Sequence, residues 1–141
     1  MTFDAHGARA LAPRRHVLLA EDDASLRSFL SEALTRAGFE VEEIDSGTAL
    51  AARLKQVLLY HPGAAPFDAI VSDLRMPGPS GMSMLRLVRM FDATMPFLLM
   101  TAYGDHGTHR EAHSLGATAV FDKPLDSARL TKTLQNAFAP R

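Results

Sequence analysis

Along the chain, short unbroken apolar runs alternate five times with segments whose apolar residues recur every three or four positions. The first run, His16-Val17-Leu18-Leu19-Ala20, leads straight into Glu21-Asp22-Asp23, and a run of this length bounded by charge predicts a strand buried on both faces. Leu26, Phe29, Leu30, Ala33, Leu34 and Ala37 follow at helical spacing, with Asp23 at the N-cap position and Gly38 as the stop. Phe39 to Ile44 begins by alternating apolar and acidic residues, which predicts a strand with a wet face at a sheet edge. Leu50, Leu54, Val57 and Leu58 stripe a second helix, ended by His61-Pro62-Gly63.

Phe67 to Ser72 predicts a third strand that delivers Asp73. Pro77, Gly78, Pro79 and Gly81 then keep the chain out of a helix until after Gly81. Met84, Leu87, Val88 and Phe91 stripe the third helix, and Phe97 to Met100 forms a fourth strand ending at Thr101. From about Asp105 to Leu115 the stripe is only Thr108, Ala112 and Leu115, with Gly107 inside it, so little apolar area ties that helix down. Thr118 to Phe121 is the fifth strand, Lys123-Pro124 ends it, and Leu130, Leu134, Ala137 and Phe138 mark the last helix. Such alternation implies an α/β fold: a doubly wound parallel sheet, helices on both faces and right-handed crossovers. Residues 1–14 carry no period and read as a flexible tail; residues 15–141 read as one domain. The segment Tyr60 to Pro66 is longer than its connection requires.

Composition narrows the function. A chain of 141 residues with 47% hydrophobic and 22% charged residues is globular. Fifteen basic against 16 acidic residues leave a formal charge of -1, so this chain has no basic surface for nucleic acid or an anionic membrane. The absence of cysteine excludes disulfides, thiolate metal sites and a Cys nucleophile, and fits a reducing compartment. No apolar stretch is long enough for a bilayer, and the N-terminus lacks a signal peptide's apolar core, which makes the cytoplasm the expected address.

The chemistry lies in what each strand ends with: Glu21-Asp22-Asp23, Asp73, Thr101 and Lys123. A parallel sheet gathers these ends on one edge, beside its topological switch point. Clustered carboxylates repel one another and call for a cation, and an all-oxygen site with open positions suits Mg2+, with Mn2+ as the substitute. Lys123 adds a fixed charge and Thr101 a hydroxyl, both able to reach a phosphate oxygen. A carboxylate nucleophile, a divalent metal, a lysine and a hydroxyl are the parts that phosphoryl transfer needs. His106, His109 and His113 share helical spacing but have no accompanying carboxylate cluster, and are expected to be a solvated helix face.

Taken together, Glu-Asp-Asp after an apolar strand, Asp73-Leu74-Arg75-Met76-Pro77-Gly78-Pro79-Ser80-Gly81, Thr101-Ala102-Tyr103-Gly104-Asp105 and Asp122-Lys123-Pro124 resemble the receiver domain of two-component response regulators, from about Arg15 to the C-terminus. The resemblance implies a flavodoxin-like, CheY-like sheet of strand order 2-1-3-4-5. It implies Asp73 as phosphoacceptor, served by a histidine kinase or histidine phosphotransfer protein. Asp22 and Asp73 would be metal ligands, together with the backbone carbonyl of Arg75 and, through water, Glu21. Thr101 and Lys123 match the family's switch hydroxyl and lysine, Arg75 and Tyr103 would flank the phosphate, and the Lys123-Pro124 bond is expected to be cis. Val120 departs from the pattern, standing where the family often has an aromatic residue.

Under this reading the chain is no separate enzyme; it assists its own phosphorylation and dephosphorylation and switches binding of an unidentified downstream effector. A phosphatase with an aspartyl-phosphate intermediate would place its nucleophile in an Asp-x-Asp after strand one, where Glu21 and Asp23 stand here. A receiver-fold binding module that is not phosphorylated is the second alternative. A flavin module would need a Ser/Thr/Gly-rich cradle after strand one, which this chain lacks.

Overall fold

The computed structural model describes residues 14–60, 66–102 and 104–139. Strands and helices alternate as β1 (His16–Ala20), α1 (Ala24–Arg36), β2 (Glu40–Ile44), α2 (Gly47–Tyr60), β3 (Ala69–Asp73), α3 (Gly81–Phe91), β4 (Phe97–Thr101), α4 (His106–Ser114), β5 (Ala119–Asp122) and α5 (Ser127–Ala137). The strands form one parallel sheet in the order β2-β1-β3-β4-β5, as expected. Acidic β2 is an edge strand with Glu40, Glu42 and Glu43 exposed, while β3 and β4 are buried along their whole length.

Strand alternation divides the apolar residues into two cores. Leu18, Ile70, Phe97 and Leu99 pack with Leu50 and Leu54 of α2, Leu85 and Val88 of α3 and Ala112 of α4. Val17, Leu19, Val71, Leu98 and Met100 face the other way, onto Leu30 and Leu34 of α1 and Leu130 and Leu134 of α5. Each such leucine, taken fully out of water, contributes roughly 1.5–3 kcal/mol.

The helix ends follow their side chains. Asp23 caps α1 by accepting from the Leu26 N–H at 3.0 Å, and Asp105 caps α4 by accepting from the Thr108 N–H at 2.7 Å. The helix expected after Gly81 starts at Gly81 itself, because Ser80 accepts from the Ser83 N–H at 3.1 Å. Three residues assigned to the stripes lie outside them: Phe29 is 51% exposed, Phe91 37% exposed, and Ala137, the last residue of α5, is exposed, whereas Met82 and Leu85, absent from the expected stripe, are buried. At 100° per residue Phe29 sits on the shoulder of the Leu30–Leu34 face, and Phe91 is the last residue of its helix. Most of the expected tail and residues 61–65 lie outside the described residues.

Candidate acidic phosphoacceptor site

Parallel pairing brings the carboxyl ends of the strands together. Asp73, the last residue of β3, is in register with Met100, so Thr101 lies one step beyond it at the end of β4. Thr101 is in turn in register with Asp122, and its carbonyl accepts the Lys123 N–H at 2.8 Å. The Lys123 ammonium reaches back to donate to Glu21 Oε1 at 2.8 Å and to Asp73 Oδ2 at 3.2 Å. Carboxylate oxygens of Glu21, Asp22 and Asp73 all lie within 4.8 Å of one another. Glu21, Asp73 and Thr101 are buried and Asp22 is exposed, so the cluster has a buried floor and an open rim.

At such separations two like charges repel by roughly 3–4 kcal/mol at an effective dielectric of 20. Three carboxylates against one ammonium leave two units of negative charge when all are ionised. Burial pushes the Glu21 carboxyl above its ordinary value, and the Asp73 charge adds to the rise; the bonds from Lys123 and the Asp23 N–H oppose it. For Lys123 burial works to lower the ammonium, but the bond to Glu21 and the Asp73 charge overcome it, so its pKa is raised and it remains a cation.

The backbone holds these groups in place. The Glu21 N–H donates to the Ile44 carbonyl at 3.0 Å, and Arg27 Nη1 donates to the Glu21 carbonyl at 2.8 Å. Glu21 Oε2 accepts from the Asp23 N–H at 3.1 Å, so Asp23 serves both the helix cap and the site. Beyond Asp73, the Leu74 N–H donates to the Met100 carbonyl and the Leu74 carbonyl accepts from Gly81, each at 2.8 Å. A Cβ on Gly81 would collide with the Asp73 carbonyl and come within 2.9 Å of Leu99 Cδ2, so the return of the loop against β3 requires glycine.

Arg75 is exposed on this loop two residues past Asp73; Tyr103 lies outside the described residues. The Lys123-Pro124 peptide bond is cis, as expected. Val120 is half-buried against the α2–α4 core, and neighbouring Phe121 packs into the opposite core. His106 and His113 are exposed, but His109 is not merely solvated: its Nε2 is 2.9 Å from Asp122 Oδ1, tying α4 to the end of β5. A single arginine on a helix has no periodic signature, so sequence does not mark Arg27; only the fold brings it to the Glu21 carbonyl.

An all-oxygen donor set, two surplus negative charges and an open rim fit a hard divalent cation such as Mg2+. An open groove of about 770 Å³ lies elsewhere, along β2. Its arginines are already paired, Arg27 with Glu43 at 3.4 Å and Arg53 with Glu42 at 2.8 Å, and it holds none of the converging strand-end groups.

Comparison with known proteins gives the same picture. The family model described as the response regulator receiver domain matches residues 17–135. The transcriptional regulatory protein FixJ of Bradyrhizobium diazoefficiens is 34% identical over 127 residues, which are 90% of this chain and 58% of that protein. The C4-dicarboxylate transport transcriptional regulatory protein DctD of Pseudomonas aeruginosa is 36% identical over 126 residues, 89% of this chain and 25% of that protein. The chain thus spans a quarter to somewhat over half the length of these relatives. Among solved structures, the chemotaxis response regulator CheY4 of Vibrio cholerae superposes with a TM-score of 0.75 at 31% identity, covering 89% of this chain and 100% of that one. The non-phosphorylated HemR receiver domain from Leptospira biflexa gives a TM-score of 0.75 at 27% identity, covering 91% and 98%. No helix among the described residues is long and apolar enough to cross a membrane. With its strand order, its converging acidic strand ends and a family match over most of its length, this chain belongs to the receiver domains of response regulators.

Proposed function

We propose that residues 15–141 act as a phosphoacceptor switch in the cytoplasm, with Asp73 taking a phosphoryl group from a phosphohistidine on a histidine kinase or phosphotransfer protein. The observation that carries this reading is the meeting of Asp73, Glu21, Asp22 and Lys123 in one hollow built from separate strand ends.

Asp22, Asp73 and the Arg75 carbonyl would hold Mg2+, or Mn2+, directly, with Glu21 acting through water. A bound divalent ion would supply positive charge against the phosphoryl oxygens and draw the carboxylates and the phosphate together. An Asp73 carboxylate oxygen attacks phosphorus, the phosphorus–nitrogen bond of the donor breaks, and the electron pair returns to the imidazole nitrogen, which takes up a proton. Lys123, kept charged by Glu21 and Asp73, turns from its salt bridges to a phosphoryl oxygen, and the Thr101 hydroxyl donates to another. Arg75 would border the entry of attacking water. The added charge draws Thr101 and its loop inward and shifts the population toward a form whose β4-to-α5 face binds an effector differently. The relatives named above are transcriptional regulators, and any transcriptional output of this chain would act through such an effector.

Incubation with Mg2+ and acetyl phosphate, read by intact mass, tests the reading. One added phosphoryl group is expected, absent in Asp73→Ala and absent with chelator. A wild-type chain that stays unmodified, with Mg2+ shown to be bound, would instead favour a receiver-fold module that is not phosphorylated. Amide hydrogen exchange over residues 102–122 that is unchanged by phosphorylation would refute the moving face.

A further inference from the structure

The loop carrying Arg75 has a second anchor outside the site. It leaves β3 at Asp73 and is fixed at Leu74 by backbone bonds to Met100 and Gly81. Three residues on, the Pro77 carbonyl accepts from the Gly47 N–H at 2.9 Å and from the Thr48 N–H at 3.4 Å. Gly47 opens α2, so these are amides of its first turn, which have no partner inside the helix. The two backbones interlock from both sides. A Cβ on Gly47 would collide with the Pro79 carbonyl oxygen and come within 3.0 Å of Pro79 N. Gly78, at φ 90°, would drive a Cβ into the Thr48 side chain and within 2.7 Å of its amide nitrogen.

We infer that Gly47 is a positioning residue for the metal-binding loop: by letting the first turn of α2 close on Pro77–Pro79, it sets where the Arg75 carbonyl stands. This rests on the proposed role of that carbonyl as a ligand. The steric step decides it. A side chain at Gly47 meets backbone, not a flexible tip, so the loop has to retreat by roughly 1 Å, against the ±0.2 Å or so that a metal–ligand distance tolerates. Mg2+ demands near-octahedral geometry and does not follow a displaced ligand as Ca2+ does. Supports of this indirect kind typically change metal affinity by about 10–100-fold.

The test uses the full chain and Mg2+ itself, with binding read from amide NMR shifts, since the protein has no tryptophan. Gly47→Ala is expected to weaken Mg2+ binding about tenfold or more. Leu54→Ala, which truncates a fully buried residue on the same helix, is expected to stay within about twofold of wild type. Coupling is reciprocal, so a second arm needs no variant: in the wild type, saturating Mg2+ slows hydrogen exchange at the Gly47 and Thr48 amides. Wild-type binding of Mg2+ with Gly47→Ala unaltered overturns the positioning role alone, as does Mg2+ binding that leaves those two amides unprotected. A wild-type chain that binds no Mg2+ overturns the functional reading and this inference with it.

Discussion

Replacing Lys123 with methionine keeps most of the side-chain volume and removes the cation that bonds both Glu21 and Asp73. Glu21 is completely buried and would keep the Asp23 N–H as a donor while facing the Asp73 carboxylate. Breaking a buried pair typically costs about 3–5 kcal/mol; Lys123 is 22% exposed and the rim is open, so solvent screening brings this to about 2–3 kcal/mol. The cost depends on pH because Glu21 can escape it by taking a proton. Burial already holds its carboxyl above the ordinary value of 4.5, and losing the opposing Lys123 bond raises it further. An acid raised in the folded state contributes stability that is fully present below its unfolded pKa and is lost as pH rises through the folded one. Each further unit of rise is worth about 1.4 kcal/mol at neutral pH. Urea unfolding in EDTA should therefore show the Lys123→Met penalty smallest near pH 4, below the ordinary carboxyl value, growing as pH rises and reaching the full amount near pH 7.5. Saturating Mg2+ should recover part of the loss. An equal penalty at both pH values, unmoved by Mg2+, would refute the electrostatic account of the site.

Three further outcomes follow from the packing. Arg89 donates to the Gly116 carbonyl at 3.0 and 2.8 Å and to the Asp92 carbonyl at 3.0 Å, so Arg89→Ala should cost about 1–2 kcal/mol in urea and speed hydrogen exchange in α4 before that in α3. For Asp92 burial works to raise the carboxyl, but bonds from the Thr94 and Met95 N–H groups outweigh it and hold its pKa below the ordinary 3.8. Its contribution is present above that pH and lost below it, so Asp92→Ala should flatten the fall of thermal stability in acid titrations under about pH 4. On α1, Leu30→Ala should cost about 2–5 kcal/mol while Phe29→Ser stays within about 0.5, and similar losses at both would show that the helix is rotated from the face described.

Apolar period and punctuation carried nearly all of the fold. Each strand sits within two residues of its expected span, because an unbroken apolar run ending in a lone polar residue has few readings in an alternating chain. The residues of the site were legible for the same reason: a parallel sheet maps strand ends to one edge, whatever their separation in sequence. What stayed hidden depends on contacts that no period encodes. Phe29 belongs to the arc of the stripe but not to its buried centre. The bond from Arg27 to the Glu21 carbonyl, the closure of Gly47 on Pro79 and the pairing of His109 with Asp122 each join elements that the sequence leaves unrelated in space. His109 in particular shares its spacing with two exposed histidines, and only its place beside the end of β5 sets it apart.

That pairing bears on how a charge at Asp73 could reach the surface. Among the described residues α4 buries only Ala112, whereas α3 buries Gly81, Met82, Met84, Leu85 and Val88. Apolar burial therefore does little to hold α4, and its place is set by polar ties: Arg86 to Glu111 at 2.8 Å, Arg89 to the Gly116 carbonyl, and His109 to Asp122 at 2.9 Å. Ties of this kind contribute about 1 kcal/mol or less each, the scale on which a two-state element is balanced. Gly104 sits against the last of these: a Cβ there would collide with the Asp122 carboxylate and come within 2.7 Å of His109 Nε2 and 2.8 Å of the Thr101 methyl. Asp122 in turn immediately precedes Lys123. In the proposed switch, a shift of Thr101 or Lys123 toward charge at Asp73 would press on Gly104 and strain the His109–Asp122 bond before disturbing either core. The contact path from site to helix is then three residues long, and the element at its end is a helix that buries only Ala112 among the described residues.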